Sequence, residues 1–149
     1  MFEGHIFWRQ LKKVGIDPAP LAAANPDILY ERWTRGHYKG GVGEYDRLNR
    51  AININKTAAL ASASWGTFQI MGFNFKACGY NNVEDYVNAM YVSEGKHLEA
   101  FGGFIKSVNL VRHLVTKDWA AFAKGYNGPA YAQNKYDTKL AAAYAAAKG

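Results

Sequence analysis

Apolar side chains recur every three or four positions along most of the chain, which is the spacing of helices that bury one face. The pattern predicts helices over residues 2–14, 44–54, 57–64, 83–101, 104–115 and 134–147, with a further helix that begins after Thr116. The glycines at 15 and at 102–103 are expected to end the helices before them. No run of alternating apolar and polar residues is long enough to predict a strand. We therefore expect one compact, mainly α domain over residues 1–149.

Two stretches interrupt the helical pattern, and they are the first places to look for a site. Residues 17–43 contain three prolines and end in a glycine-rich run, and long ordered loops in compact domains often border binding sites. The segment from Trp65 to Gly72 sets a single glutamine, Gln69, among apolar residues. A partly buried amide needs partners for both its oxygen and its nitrogen. Neighbouring backbone groups could supply them, and so could the hydroxyl or N-acetyl group of a bound sugar.

Charged and apolar positions on the helices give further expectations about burial. Glu94 falls on the apolar stripe of the helix predicted over 83–101, so we expect it to be buried and hydrogen-bonded. Asp46, followed closely by Arg47 and Arg50, is typical of a solvated helix face. The last helix is expected to bury Tyr136, Leu140, Ala143 and Tyr144.

The composition indicates a folded protein with a polyanionic partner. Apolar residues make up 49% of the sequence and aromatic residues 15%, unlike a disordered chain. The formal net charge of +6 suits nucleic acid, an anionic membrane surface or an anionic cell wall. Lys12 and Lys13 are the only adjacent basic pair, so no nucleic-acid-binding arm is expected. No apolar run is long enough for a membrane span, and we expect no membrane insertion.

Neither a metal site nor thiol chemistry is indicated. The single cysteine, Cys78, allows no intramolecular disulfide and is expected to be a small, buried apolar residue. The four histidines show no metal-ligand spacing, so we expect no metal and no cofactor. The first residues do not have the pattern of a signal peptide.

Two ordered motifs carry a resemblance to a known family. The segment from Trp65 to Gly72 resembles the G-L-x-Q-I-M-type segment of lysozyme-like lytic enzymes, and the segment from Phe122 to Tyr131 resembles their A-Y-N-A-G-P-type segment. Three further segments, Phe2 to Phe7, Glu44 to Leu48 and Ser62 to Gly66, make the resemblance more specific. With them, nearly the whole chain resembles the N-acetylmuramidase domain of phage endolysins and some bacterial cell-wall lysins.

This resemblance implies a compact, lysozyme-like helical fold and bacterial peptidoglycan as the partner. The implied reaction cleaves the β-1,4 bond between N-acetylmuramic acid and N-acetylglucosamine, with no cofactor. Trp65 and Gln69 would lie on the floor of a groove that is walled by Tyr126, Asn127 and Tyr131. The amides would hold N-acetyl or hydroxyl groups, and the aromatic rings would stack on sugar faces. We expect a monomer, made in the bacterial cytoplasm and delivered to the periplasm or cell wall by another factor, such as a holin or a secretion system.

Glycoside hydrolysis needs a carboxylic acid that protonates the leaving oxygen, and usually a second carboxylate or a positioned water. Of the twelve carboxylates, four are not accounted for by exposed helix faces, helix starts or prolines: Glu3, Glu31, Glu44 and Glu94. Glu31 neighbours Arg32, which predicts a salt bridge. Glu3 lies among apolar and aromatic residues that favour a protonated carboxyl, with a helix-start charge as the alternative. Glu44 opens a helix at the mouth of the expected groove, where it could instead cap the helix dipole. Glu3 and Glu44 are therefore the catalytic candidates.

One departure from the family leaves the activity open. The family's general-acid glutamate lies on an E-S-G-type segment upstream of the F-E-x-H-type motif, and the sequence from Met1 to His5 leaves no counterpart for that segment. A truncated start, a different carboxylate, or a wall-binding module of the same fold that does not cut would each fit. A basic nucleic-acid-binding domain is a weaker alternative, because the basic residues form no stripe.

Overall fold

The computed structural model describes residues 1–149 and confirms the mainly α fold. Its α-helices are α1 (Gly4–Lys13), α2 (Ala19–Ala22), α3 (Gly43–Ile54), α4 (Lys56–Ala61), α5 (Val83–Val92), α6 (Glu94–Ser107), α7 (Val111–Val115), α8 (Trp119–Asn127) and α9 (Tyr136–Lys148). Strands β1 (Ser64–Trp65) and β2 (Ile70–Met71) form an antiparallel hairpin, and 3₁₀ helices cover Gly72–Asn74 and Pro129–Asn134. Two compact units, Met1–Gly102 and Gly103–Gly149, divide the chain. That both units make up one domain stays a prediction.

The core of the first unit lies where α4 packs against α1 and α3. Phe7 and Leu11, one turn apart on α1, are completely buried, as the helical spacing predicts. The facing residues of α4 are small, and Ala59 is completely buried among them. Asn55 caps α4, because its side-chain oxygen accepts a hydrogen bond from the Ala58 N–H at 2.9 Å. Small side chains at this contact allow the helices to approach closely.

The first residues of the chain are held by backbone pairing. Phe2 forms an antiparallel bridge with Ala63, just before β1, and its ring is 1% exposed. The Glu3 N–H donates to the carbonyl oxygen of Ser62 at 2.9 Å. This pairing fixes Glu3 at the start of α1 in extended conformation.

The segment from Trp65 to Gly72 forms a hairpin whose two-residue strands are too short to give an alternating pattern in the sequence. Its turn uses the left-handed backbone region twice, at Gly66 (φ 67°) and at Gln69 (φ 51°). Glycine adopts this region readily and glutamine rarely. Gly72 follows the hairpin and lies so close to α4 that an added Cβ would clash with the carbonyl oxygen of Leu60.

The helices in the middle of the chain differ from the prediction. Instead of one helix over 83–101, α5 ends at Val92, and Ser93 is extended (φ −167°, ψ 160°) before α6 begins. The helix α6 continues through the glycine pair that was expected to end it, as far as Ser107. Glycine costs a helix only about 1 kcal/mol relative to alanine, which packing can offset. Because the break resets the helical phase, Glu94 is exposed in the first turn of α6, and its expected burial is wrong.

In the second unit, the single helix predicted over 104–115 is also wrong, since α6 and α7 share those residues. Asp118, and not Thr116, caps α8 by accepting a hydrogen bond from the Ala121 N–H at 3.0 Å. The helix ends at Asn127, and the following Gly128 has a φ of 84°, in agreement with the turn-forming residues there.

The last helix, α9, packs against α8 and the 3₁₀ helix before it. None of its side chains is fully buried, so the expected burial of Tyr136, Leu140, Ala143 and Tyr144 is wrong. With neighbours on one side only, its rings lie at the edge of the unit: the Tyr144 ring is 5.2 Å from the Trp119 ring and the residue is 41% exposed.

The contact at Gly72 predicts a steric cost that depends on position. We expect Gly72→Ala to lower the free energy of unfolding by about 1–3 kcal/mol or more, because the new Cβ meets rigid backbone. Gly102→Ala is the matched control, since its Cβ would meet nothing within 4 Å inside a helix, and we expect a gain of about 0.5–1 kcal/mol. Denaturant titration of both variants measures the difference. A Gly72→Ala variant as stable as the parent would contradict this packing.

Candidate functional site

A groove of about 490 Å³ opens on the first unit. It lies between the chain start, the glycine-rich loop, the first turn of α3, the hairpin and the end of α5. Its lining brings together two residues of the predicted substrate-binding set, Trp65 and Gln69, and one of the two catalytic candidates, Glu44. Glu3 is not part of the lining, although the preceding residue, Phe2, is.

The carboxylate of Glu44 is held from several directions. One oxygen, Oε1, accepts hydrogen bonds from the backbone N–H groups of Lys39 at 2.8 Å and Gly40 at 3.4 Å. The other, Oε2, accepts from the Phe2 N–H at 3.1 Å and lies 3.1 Å from Nη1 of Arg47. The sequence places Glu44 in the first turn of α3, and the loop before that helix folds back so that its N–H groups point at the carboxylate. These contacts tie the chain start and the loop to α3.

Arg47 is the partner that the sequence pattern missed, because the expected solvated face is wrong at this position. Its side chain is completely buried and uses all five N–H donors. Nε and Nη2 donate to the carbonyl oxygen of Asp27 at 3.1 and 2.7 Å, and Nη2 also donates to the Tyr30 hydroxyl at 3.4 Å. Nη1 donates to the Phe2 carbonyl oxygen at 3.2 Å and to Glu44. Such a charge is tolerated in a core only when its hydrogen bonds are complete.

These contacts determine the protonation state of Glu44. Burial by itself would raise the pKa of the carboxyl, but the hydrogen bonds from Lys39 and Phe2 and the charge of Arg47 outweigh it, and the pKa is held below its usual range. Glu44 is therefore an ionised carboxylate on the groove wall at neutral pH. That state suits the stabilisation of a nearby positive charge, and it does not suit proton donation.

Glu3 lies in a different environment, a cluster of aromatic residues beside α1. Its Oε2 accepts a hydrogen bond from the Tyr38 hydroxyl at 2.5 Å, and the Trp33 indole N–H donates to the same hydroxyl at 3.2 Å. His5 Nδ1 is 3.4 Å from Oε2 and makes no hydrogen bond. Burial is the main cause that lowers the pKa of His5, with Glu3 opposing and Arg9 adding to the shift, so the imidazole is neutral at pH 7. Glu3 thus has no permanent cation as partner.

Within the hairpin, the amide of Gln69 is exposed, not partly buried, and both its ends have local partners. Nε2 donates to the carbonyl oxygen of Gly66 at 2.9 Å, and Oε1 accepts from the Ser64 hydroxyl at 2.8 Å. His97 fastens the turn by accepting hydrogen bonds at Nδ1 from the N–H and hydroxyl of Thr67. Each end of the Gln69 amide still has one free hydrogen-bonding position, which faces solvent. A ligand contact therefore stays a prediction.

Two tyrosines on the groove are not among the site residues that the sequence predicts. Tyr45 is 54% exposed and Tyr91 is 65% exposed, and both line the cavity. Trp65 lies behind them, 8% exposed, with its indole N–H donating to the Leu60 carbonyl oxygen at 3.0 Å and its ring 6.2 Å from the Tyr91 ring.

The remaining predicted substrate-binding residues belong to the second unit. Tyr126, near the end of α8, is half-buried and stacks on the Phe122 ring at 5.7 Å. Asn127 is exposed at the last residue of the helix, and Tyr131 is half-buried in the 3₁₀ helix that follows. Their contact with a substrate stays a prediction.

Other candidates from the sequence resolve as follows. Cys78 is buried as expected, and burial raises the pKa of its thiol to about 11, so it is not a reactive thiolate. Glu31 is exposed and forms no ion pair, so its predicted salt bridge is wrong. No histidine, cysteine, aspartate and glutamate side chains gather in a group that could hold a metal ion. The helices are all too short or too polar to cross a membrane.

Comparisons with known proteins find one family model and a similar solved structure. The family model for N-acetylmuramidases matches residues 1–148. Among solved structures, the crystal structure of the Burkholderia AP3 phage endolysin is similar, with a TM-score of 0.87 and 46% sequence identity. The match covers 96% of this chain and 54% of the endolysin chain, so the chain spans about half the length of that relative. A search of curated proteins found no match.

The buried Glu44–Arg47 pair predicts acid-sensitive stability. Because the folded pKa of Glu44 is lowered, its contribution is complete above the usual glutamate pKa of about 4.3 and is lost as the pH falls through the folded pKa. Glu44→Gln should remove this part of the pH dependence and cost roughly 3–5 kcal/mol at pH 7, since Arg47 stays buried without a counter-charge. Chemical denaturation from pH 3 to 7 measures both effects.

The control for this prediction is Glu84→Gln, which breaks the exposed pair with Lys56. It should cost less than about 1 kcal/mol. Equal losses in the two variants would mean that the buried pair has no special role.

The exposed tyrosines predict a stacking surface for sugar rings. Tyr91→Ala should weaken the binding of a chitooligosaccharide by about 0.5–1.5 kcal/mol, whereas Tyr91→Phe should retain most of the affinity because the ring face remains. Val92→Ala, at the next exposed position outside the groove lining, is the matched control. Isothermal titration measures the affinities. Equal affinity in the parent and in Tyr91→Ala would remove this ring from the binding surface.

Proposed function

The chain belongs to the N-acetylmuramidase family, and we propose that it cleaves the β-1,4 bond between N-acetylmuramic acid and N-acetylglucosamine in bacterial peptidoglycan. The substrate class and the enzymatic activity are proposed from family membership, and the likeness to a phage endolysin supports them. In this proposal residues 1–149 act as one catalytic domain.

One observation carries the proposal: an ionised, buried carboxylate borders an open groove that also presents exposed tyrosine rings. Glu44 supplies the carboxylate, and Tyr45 and Tyr91 supply the rings. A glycosidase needs a negative charge near the oxocarbenium-like centre and flat apolar surfaces for the sugar rings. A carbohydrate groove fits this combination better than a site for a small apolar ligand, which would be more enclosed.

The two catalytic candidates take different roles in this proposal. Glu44, kept ionised by Arg47 and backbone N–H groups, would stabilise positive charge on the sugar. Glu3 would be the proton donor, as the other catalytic candidate, and its contacts are with uncharged groups, the Tyr38 hydroxyl and the neutral ring of His5. The two carboxylates thus lie in different surroundings, Glu44 against a buried guanidinium and Glu3 among aromatic rings.

The predicted substrate-binding residues of each unit are given separate roles in this proposal. Gln69 would use the free hydrogen-bonding positions of its amide for N-acetyl or hydroxyl groups, with Trp65 supporting the tyrosines from behind. Tyr126, Asn127 and Tyr131 would contribute further sugar contacts from the second unit. We also propose that the protein acts as a monomer and reaches the cell wall with the help of another factor. No cofactor enters the proposed reaction.

The proton donor is tested by isosteric substitution. Glu3→Gln should reduce the clearing of a purified peptidoglycan suspension by about 10²–10⁴-fold, because a general acid contributes that much to the rate. The exposed Glu94→Gln is the matched control and should keep full activity. Melting temperatures of both variants separate a lost catalytic group from an unfolded protein.

Three outcomes are distinguishable. Full activity of folded Glu3→Gln would overturn the assignment of Glu3. Peptidoglycan binding without turnover in the parent chain would overturn the enzymatic proposal in favour of a binding module. Equal loss in Glu3→Gln and Glu94→Gln would indicate a general effect of charge.

A further inference from the structure

The positive charge of the protein is concentrated in its second unit. Residues 103–149 contain seven basic side chains against the acidic Asp118 and Asp137, a net charge of +5. Residues 1–102 contain eleven basic and ten acidic side chains, a net charge of +1. The formal charge of +6 therefore comes almost entirely from less than a third of the chain.

The basic side chains of the second unit are available to a partner. All seven are exposed, and none forms an ion pair; they are Lys106, Arg112, Lys117, Lys124, Lys135, Lys139 and Lys148. In the first unit Arg47, Arg50, Lys56 and Lys96 are each paired with a carboxylate, and the other seven basic side chains share the unit with ten carboxylates, which offset their charge. Exposed, unpaired cations keep their full charge for a partner.

We propose that the second unit is a cationic docking surface for the carboxylate groups of peptidoglycan stem peptides. The partner class rests on the proposed function, and the charge distribution is the independent observation. Peptide carboxylates are point-like anions, and six of the seven cations are lysines, which bind such groups as point charges.

A nucleic acid fits this surface less well. Only one of the seven cations, Arg112, has the planar guanidinium that forms bidentate hydrogen bonds with phosphates and with guanine. The two tyrosine rings exposed on α9 are covered by ammonium groups, since Lys139 Nζ lies 5.7 Å from the Tyr136 ring and Lys117 Nζ lies 5.3 Å from the Tyr144 ring. Stacking of bases, on which single-strand binding depends, would have to displace them.

Two variants with equal net charge test the proposal. One replaces Lys117, Lys124, Lys135 and Lys139 by glutamine, and the other replaces Lys13, Arg32, Arg35 and Lys76, which are exposed and unpaired in the first unit. Co-sedimentation with purified peptidoglycan is measured over a salt series, with melting temperatures to confirm folding. We expect the first set to lose about tenfold in affinity at low salt, with a flatter salt dependence, and the second set to lose much less.

Further arms identify the ligand. Neutral chitooligosaccharides, which carry neither stem peptides nor carboxylates, should bind the parent and both variants equally. Glycan strands stripped of stem peptides by an amidase keep a lactyl carboxylate on each muramic acid, and they serve only as a substrate for cleavage. Equal losses on whole peptidoglycan in the two variants would show that only net charge matters, and would overturn the proposal. So would a preference of the parent for duplex DNA over peptidoglycan that the first set abolishes.

Failure of the proposed function is a separate result. If the parent cleaves neither peptidoglycan nor stripped glycan but the first set still loses binding, the docking surface stands and the enzymatic proposal fails. If the parent cleaves stripped glycan and the two variants bind peptidoglycan alike, the enzymatic proposal stands and the docking surface fails.

Discussion

The structure of the first unit depends on one buried cation, Arg47. A guanidinium without solvent is stable only if every donor has an acceptor, and here the acceptors come from the chain start, from the loop around Asp27 and Tyr30, and from Glu44. The loop around Asp27 and Tyr30 has no regular structure that would position it alone. The requirement to satisfy one charge therefore holds this loop and the chain start, 20 and 45 residues away in sequence, against α3. The hydrophobic core packs beneath this network, but the network decides where the groove opens.

The same requirement shapes the chemistry of the groove. Glu44 must stay ionised to balance Arg47, so the fold itself keeps a negative charge on the groove wall. The hairpin also lines the groove, and its turn, which places Gln69 in the left-handed region, is held by the Gln69 amide and by His97. Unfavourable backbone held in place by several hydrogen bonds is typical of functional sites. A rigid carboxylate and a rigid turn thus face a common opening.

Sequence patterns predict the helices here because burial of one helical face is a repeated, local property. The patterns also mark the hairpin segment as a turn, and the motif in it carries the family resemblance that singles out Gln69. They fail where the role of a residue depends on contacts with residues far away in the sequence. Arg47 looks solvated by its neighbours, and only contacts made 20 and 45 residues away in sequence bury it. Tyr91 falls at helical spacing with the buried Val83 and Val87, but it lies in the last turn of α5, where it is exposed on the groove. Asp118 caps α8 two residues after the expected Thr116.

Cutting a polymer and staying on it make different physical demands, and the charge distribution separates them. In the proposed reaction Glu44 would act through short, desolvated contacts such as the one with Arg47, which salt screens little. The proposed retention on an anionic polymer would depend on exposed charges, which act over a Debye length and weaken with salt. Because residues 1–102 are close to neutral, local contacts dominate the electrostatics at Glu44, whereas residues 103–149 carry most of the net positive charge on which the proposed attraction would depend.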